Sequence, residues 1–312
     1  MDVTNIFNSI SQLLKKYTTK FFFSNSKKHH FNTQHYKNRE VALLTQHGKE
    51  KVLAPLLYES IGCRVTRVDD YDTDLLGTFT RDIPRLSRQV DTARKKALIG
   101  MKYSNLSLGL ASEGSFGPDP YTGMFSQNVE VLIWVDKESD LEVVAFSQGK
   151  TNLDHGLMRS WEDTETFARK IGFPEHHLVL RPQSEDNPNI RKGIDNWDDL
   201  QEAFTWAVER SENNTAFIET DMRAHANPTR MDNIRMAAEE LAKKLSSTCP
   251  ECTAPGYGIV DRLSGLPCSG CGLPTNEIRA EIYRCSHCGD KITVAREDKR
   301  YAYPGNCNYC NP

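Results

Sequence analysis

The sequence predicts an α/β protein, with a mixed central sheet and helices on both faces, followed by a small C-terminal tandem zinc-ribbon module. Two observations support this prediction. Between residues 40 and 246, short apolar segments alternate with amphipathic segments of helical length, as in an α/β sheet. After residue 248, eight of the nine cysteines fall in Cys-x-x-Cys pairs, a spacing typical of zinc sites.

Composition sets limits on the class of protein. The 312 residues are 38% hydrophobic and 26% charged, with a formal net charge of −3, as in an ordinary globular protein. This charge provides no basic field for non-specific nucleic-acid binding. No run of eighteen apolar residues is present, so we expect no contact with a membrane. The sequence also lacks a secretory signal pattern, which favours the cytoplasm, where cysteines bind metal more often than they form disulfides.

Three parts are expected along the chain: 1–39, 40–246 and 247–312. The first part carries seven Lys or Arg residues against the single acid Asp2. We expect a poorly ordered basic extension there, with a transit-type peptide or an arm docked on the body as alternatives. The second part is the α/β domain, and the third is the double zinc-ribbon module with four cysteines to each site.

The elements of the α/β domain are predicted from hydrophobic periodicity. Val90, Ala93, Ala97 and Met101 have the three- and four-residue spacing of one helical face. Predicted strands cover 41–45, 64–68, 106–111, 129–135, 141–146, 178–180 and 216–218, and predicted helices cover 49–61, 86–101, 161–171, 197–208 and 231–245. The strands 129–135 and 141–146 are expected to form an antiparallel pair.

The segment Leu108–Pro120, LGLASEGSFGPDP, is the centre of the functional prediction. A strand is expected to end at Ala111 and to lead into a loop that carries Ser112 and Glu113. In open α/β sheets, ligands bind just past the carboxyl ends of the strands, which is where this carboxylate is expected. Carboxylate oxygens are preferred ligands of Mg²⁺. The alternative is a capped turn with a solvated glutamate.

Other polar loops follow predicted strands and are expected to meet at one sheet edge; they cover 45–49, 78–85 and 219–230. The first contains Thr45, His47 and Lys49 at a helix N-terminus, which makes it a candidate phosphate-binding site. Its residues do not have the spacing of a P-loop. Arg94 and Lys95 on the following helix are candidates for contact with an anionic ligand. Surface solvation is the alternative for both.

The segment ETDMRAHANPTR contains a second polar group. Asp221 lies on the same side of a strand end as Glu219, and with His225 they form a candidate metal or acid–base group. Arg223 and Arg230 are candidates for clamping an anion. Alternatively, Asp221 and Asn227 cap turns, the arginines form ion pairs, and Asn227-Pro228 starts a helix. The remaining residues of note are given structural roles: His155, His176, His177 and Cys63.

The cysteine pairs predict two structural Zn²⁺ ions. The eight ligands are Cys249, Cys252, Cys268, Cys271, Cys285, Cys288, Cys307 and Cys310. Sequential pairing gives two ribbons in tandem, and cross-braced pairing of the first pair with the third and the second with the fourth is the alternative. Closed four-cysteine sites leave no open coordination position, so catalysis is not expected there. Basic and aromatic residues around the later pairs make nucleic acid or a protein a candidate partner, against a merely solvated hairpin.

Residues 41–150 resemble the inosine-triphosphate pyrophosphatase superfamily in the order Thr-x-x-Gly-Lys, Thr-Phe-Thr, Thr-Ala-Arg-Lys-Lys-Ala and Leu-Gly-Leu-Ala-Ser-Glu-Gly. This resemblance implies that Lys49 contacts phosphate, that Arg94 and Lys95 line the site, and that Glu113 binds Mg²⁺, with Asp82 as the nearest second acid. The early Asn of that superfamily is replaced by Gln46-His47. Nearly everything after residue 40, including the CNYCNP tail, more closely resembles an uncharacterised family known chiefly from bacterial genomes.

Two functions follow as hypotheses. The first is a metal-dependent phosphohydrolase, with a nucleotide or another phosphorylated small molecule as substrate, in which Glu113, Lys49, Arg94 and Asp221 carry the chemistry. The second is a non-catalytic protein whose zinc ribbons bind nucleic acid or a protein partner. Convergence of Glu113 and Lys49 with Glu219 or Asp221 in one pocket distinguishes the first from the second.

Overall fold

The computed structural model describes residues 34–76, 88–119 and 123–312. The predicted extension up to residue 33 and the polar loop 78–85, with Asp82, therefore lie outside the described residues. Two compact units are present. The larger unit, here called the α/β body, comprises Tyr36–Glu138 and Val144–Ala242. The smaller unit comprises Ser139–Val143 and Lys243–Pro312, with the described residues before Tyr36.

A five-stranded mixed sheet organises the first half of the chain. Its elements in chain order are β1 (Glu40–Leu44), α1 (Glu50–Ile61), β2 (Arg64–Val68), α2 (Gln89–Ser104), β3 (Leu108–Pro118), β4 (Ser126–Asp136) and β5 (Leu141–Lys150), in the sheet order β2-β1-β3-β4-β5. β1 pairs in parallel with both β2 and β3, and β3 pairs antiparallel with β4. The α/β class predicted from the sequence is confirmed.

Helix α2 packs tightly on β3 and β1 because a glycine lies at each contact. A Cβ on Gly109 would lie 2.6 Å from the Met101 sulfur and 2.8 Å from the Ala97 carbonyl oxygen. Gly100 similarly approaches Leu44 of β1. The predicted helical face is confirmed, since its four members are all buried.

A second sheet was not predicted as a separate unit of the fold. It contains β6 (His155–Met158), β7 (Leu178–Pro182), β8 (Arg191–Ile194) and β9 (Ala216–Thr220) in the order β6-β9-β7-β8, and every pairing is antiparallel. Helices α3 (Trp161–Ile171), α4 (Trp197–Glu209) and α5 (Pro228–Ser246) complete the set. Ser160 and Asn196 cap α3 and α4 through their side-chain oxygens. The core of this half is formed by residues such as Phe167, Leu178, Leu200 and Ile218.

The smaller unit contains a three-stranded antiparallel sheet, β10 (Gly258–Ser264), β11 (Ile278–Arg284) and β12 (Lys291–Ala295), in the order β10-β11-β12. Cysteine pairs lie before β10, in the two connections between strands, and after β12. The connections of an antiparallel meander alternate between the two ends of the sheet. The first and third cysteine pairs therefore lie at one end, and the second and fourth at the other.

The order of the first sheet creates a topological switch point at β1. The chain passes from β1 through α1 to β2 on one side, and then through α2 back across β1 to β3 on the other. Because the direction of crossover reverses, α1 and α2 cover opposite faces of the sheet. Ligands of open α/β sheets commonly bind at such a switch point, which here is the place where the parallel pairing of β1 with β3 ends.

Candidate active site at the β1–β3 switch point

Lys49 occupies this switch point. Gly48 has φ of +70°, in the left-handed region that glycine adopts readily, and it turns the chain from β1 into α1. The Lys49 side chain then reaches the neighbouring strand, where Nζ donates to the Ser112 carbonyl oxygen at 2.9 Å and to its hydroxyl at 3.2 Å. Burial, with the nearby guanidinium of Arg230, lowers the pKa of Lys49 to about 7.

Glu113 lies inside a strand rather than in a loop. The prediction that the strand ends at Ala111 was wrong, because β3 continues to Pro118 along the full length of its antiparallel partner β4. The carboxylate is 2% exposed and forms an ion pair with Lys96 of α2. Gln89 fixes the backbone there by donating to the Glu113 carbonyl oxygen at 2.7 Å.

Glu130 of β4 is the second buried carboxylate. Arg230 of α5 donates through Nε to its Oε1 at 2.8 Å, and both side chains are at most 2% exposed. Asn128 donates to the same oxygen at 3.1 Å, and Asn233 in turn donates through Nδ2 to the side-chain oxygen Oδ1 of Asn128 at 2.9 Å. A buried charge is costly unless paired and hydrogen-bonded, and this network supplies both.

The two carboxylates lie on opposite faces of the β3–β4 pair. Gly114 stands directly opposite Glu130 in the register, so these two residues share a face, while the adjacent Glu113 points to the other. This arrangement agrees with their partners, since Lys96 belongs to α2 and Arg230 to α5. One metal ion bridging both carboxylates does not fit this geometry.

The segment after β9 reaches the same switch point. His225 stacks on His47, with ring centroids 5.1 Å apart, and its Cβ lies 3.9 Å from the position of a Cβ on Gly48. Desolvation, followed by the charge of Arg223, lowers the pKa of His225 to about 4. The stacking of His225 on His47 brings together one residue from each of the two predicted polar groups.

Asp221 has the structural partners that the alternative interpretation proposed. It is fully buried, and Arg223 donates to it through the backbone N–H and through Nε, each at 3.0 Å. Asn227 accepts from the Arg230 backbone N–H at 3.0 Å, and α5 begins at Pro228, as the helix-start interpretation predicts. Glu219 lies 3.7 Å from Arg181 in the second sheet.

Two predicted anion contacts on α2 are placed elsewhere by the structure. Arg94 pairs with Asp91 at 2.9 Å along the helix, and Lys95 is exposed. The residue that reaches Glu113 is Lys96, because it shares a helical face with Ala93 and Ala97. Lys96 and Glu130 were not predicted as site residues. The spacing of the apolar residues on α2 could have indicated that Lys96 faces the sheet.

Other predicted residues have local roles. Thr45 is buried, and its hydroxyl accepts from the His47 backbone N–H at 3.3 Å. His176 bonds Thr229 and the Gly172 carbonyl, while Cys63 is buried, which raises its thiol pKa to about 12. These contacts support the structural roles assigned to His176 and Cys63.

The zinc ligands are cross-braced, so the predicted sequential pairing is wrong. One group contains Cys249, Cys252, Cys285 and Cys288, and the other contains Cys268, Cys271, Cys307 and Cys310. The closest sulfur pairs lie 3.6 to 3.8 Å apart. Four sulfurs around a tetrahedral zinc with Zn–S bonds of about 2.3 Å are separated by about 3.8 Å, so each group could bind one Zn²⁺.

All four Cys-x-x-Cys turns close in the same way. The residue after the second cysteine donates its backbone N–H to the carbonyl oxygen of the first, over distances of 2.8 to 3.1 Å; these residues are Thr253, Gly272, Gly289 and Asn311. Three of them, Thr253, Gly272 and Gly289, have positive φ. Repetition of this turn at both ends of the sheet orients paired thiolates toward a common centre.

The fold and these sites define an α/β protein with a cross-braced pair of four-cysteine sites. A family model described as a domain of unknown function (DUF6671) matches residues 96–312. The chain belongs to this family, and the match includes Glu113, Glu130, His225, Arg230 and the eight zinc ligands. No curated protein and no solved structure matches the sequence.

Within the described residues, no helix has the length and apolar character that crossing a bilayer requires.

Proposed function

We propose that the α/β body is a hydrolase of a nucleotide or a related phosphate ester, and that its active site is the β1–β3 switch point. The observation that carries the proposal is the buried Lys49 side chain, whose amino group lies where the parallel pairing of β1 with β3 ends. Arg230 and Lys96 lie close enough to influence its charge, as do Glu113 and Glu130. When Lys49 is protonated, three cations face two carboxylates, which leaves one positive charge for an incoming phosphate.

The roles of the chain's own residues follow from this arrangement. Lys49 would bind the transferred or released phosphate, and the N-terminus of α1 would provide backbone N–H groups to the same phosphate-binding site. Arg230 would hold Glu130 in place while it contributes positive charge to the site. These groups stabilise negative charge that develops on phosphate oxygens, which is the main task in phosphoryl-transfer catalysis.

Mg²⁺ enters the proposal as the counter-ion that a nucleotide carries. It would meet Glu113 as a single protein carboxylate, because Glu130 already accepts from Arg230 and Asn128. An Mg²⁺ ion commonly uses one or two carboxylates with substrate phosphates and water. The ion would share Glu113 with Lys96, and its chemistry would be the polarisation of the phosphate oxygens. The likeness of Lys49 and Glu113 to the inosine-triphosphate pyrophosphatase motifs supports the same assignment.

The test uses the full chain loaded with zinc, Mg²⁺ and a panel of standard and deaminated nucleoside triphosphates. Release of phosphate and of pyrophosphate is followed separately. Turnover is expected to fall at least a hundredfold in Lys49→Met and Glu113→Gln, and to persist in Lys102→Met, which removes an exposed lysine of α2. No turnover by the wild-type protein across the panel, or equal loss in all variants, would contradict the proposal.

A second candidate function, binding of a protein or nucleic-acid partner by the zinc module, has its own observation. Three exposed tyrosines, Tyr301, Tyr303 and Tyr309, are 58%, 70% and 73% exposed. Exposed aromatic rings are common at recognition surfaces. A triple Tyr→Ser variant that loses a partner captured by the wild-type chain, while keeping both zinc ions, would support this function.

A further inference from the structure

Three histidine side chains from separate segments lie together beside the turn from β1 to α1. His47 follows β1, His177 immediately precedes β7, and His225 lies in the short 3-10 turn after β9. The ring centroids of His47 and His225 are 5.1 Å apart, and those of His177 and His225 are 6.5 Å apart. The Nδ1 atom of His177 is buried, with no hydrogen-bond partner among the described residues.

We infer that His47, His177 and His225 form a third metal site, which takes a divalent ion of the zinc class through imidazole nitrogens. Two imidazoles on one tetrahedral ion, with Zn–N bonds of about 2.1 Å, have ring centroids about 5 Å apart. His47 and His225 already have this separation. Among the described residues only the two cysteine groups have all ligand atoms within 4.8 Å of one another. The histidine site would therefore form on metal binding, through rotation of the rings and a closer approach of His177.

Asp221 is the remaining nearby acid, but it is not the third ligand. Its carboxylate already accepts from Arg223 through both the backbone and the guanidinium, in the full burial described above. His177 instead has a buried ring nitrogen that a metal bond would satisfy. Imidazole is a preferred ligand for zinc and for neighbouring transition metals.

Such a site differs in chemistry from the two cysteine sites. Three imidazoles leave a fourth position open to water or to an anion, whereas four-cysteine sites are closed. His225 lies beside Gly48, the residue that precedes Lys49. The inference does not depend on the proposed hydrolase activity, because the ion binds or fails to bind whether or not a nucleotide is turned over.

The test counts metal ions in the full chain. Protein saturated with Zn²⁺ is desalted and analysed by mass spectrometry of the metal, and three ions per chain are expected. His47→Asn and His225→Asn should each hold two. His176→Asn is the matched control and should hold three, since that ring bonds Thr229 and the Gly172 carbonyl. In protein that carries only the two cysteine-bound zinc ions, added Co²⁺ should show absorption without thiolate charge transfer.

Two ions in the wild-type chain, with no Co²⁺ bound beyond them, would overturn the inference. Three ions in His225→Asn or His47→Asn would overturn it as well. A variant that also loses the two cysteine-bound ions has lost its fold, and the wild-type count then decides alone. A nucleotide assay without turnover, beside a third ion that depends on His225, would refute only the proposed hydrolase.

Discussion

The ammonium nitrogen of Lys49 lies 2.9 Å from the carbonyl oxygen of Ser112, and this contact joins the turn after β1 to the middle of β3, just beyond the parallel pairing of the two strands. It connects a helix N-terminus to the strand that carries Glu113. The lysine is buried with a pKa of about 7, so at neutral pH it is divided between its charged and neutral forms. A bound anion would favour the charged form.

Anion binding at Lys49 should therefore take up a proton. At pH 8, above the pKa of about 7, the lysine is mostly neutral, and sulfate binding should draw close to one proton from the buffer. At pH 6 the lysine is already charged, so uptake should be small. Above pH 7 the affinity should fall by up to about tenfold per pH unit.

Calorimetry of sulfate binding in two buffers of different ionisation enthalpy measures this uptake. Sulfate is a suitable probe because it does not titrate in this range. Lys49→Met should abolish the pH dependence. Equal proton uptake at pH 6 and pH 8 would exclude Lys49 as the linked group.

The Arg230–Glu130 ion pair should be costly to break from one side. Arg230→Met leaves the buried Glu130 carboxylate without its cation, which should lower the free energy of unfolding by about 3 to 5 kcal/mol. Adding Glu130→Gln should recover part of this loss, since it removes the uncompensated charge.

Urea unfolding of zinc-loaded protein measures these differences. Arg235→Met is the matched control on the same helix, since it removes an exposed pair with Glu239 and should cost less than about 1 kcal/mol. A double variant as unstable as the sum of both single variants would show that the pair is not coupled.

Substitution by alanine should affect stability differently at two glycines of β3. A Cβ on Gly114 would overlap the Glu130 carboxylate and lie 2.7 Å from the Arg230 guanidinium, so Gly114→Ala must displace the buried ion pair. We expect a loss of about 1 to 3 kcal/mol. Gly117→Ala meets nothing within 4 Å and should change stability by less than about 0.5 kcal/mol. Equal unfolding midpoints for the two variants would contradict the close approach at Gly114.

Double cysteine variants distinguish the pairing of the zinc ligands. Cys249→Ser with Cys285→Ser damages one cross-braced site, so one thiolate-bound ion should remain at saturating metal. Cys249→Ser with Cys268→Ser damages both sites and should leave none. Sequential pairing predicts the opposite counts. Thiolate charge-transfer absorption of the Co²⁺-substituted proteins measures the number of ions.

Sequence reasoning identified the zinc ligands because local spacing determines them. The pairing depends on which ends of β10, β11 and β12 the turns occupy, and it follows once the three strands form an antiparallel meander. The position of Lys96 could similarly have been predicted, because it follows Ala93 by three residues on the buried face of α2.

Contacts between residues far apart in the sequence could not be predicted. Glu130 and Arg230 are separated by 100 residues, and nothing in either local segment indicates the other. The short strands β6 and β8 have four residues each and lack clear alternation, so the second sheet was not separated from the first. Glu113 was expected in a loop because Ser, Gly and Glu are weak strand formers, and pairing with β4 overrides that preference.

The cross-braced order makes the two metal sites thermodynamically coupled. One closed loop of chain runs from Cys249 to Cys288 and the other from Cys268 to Cys310, so the loops overlap between residues 268 and 288. Release of either ion frees a segment that helps to hold the ligands of the other. The dissociation constant of each ion should therefore rise when its neighbour leaves, and by the same factor in both directions.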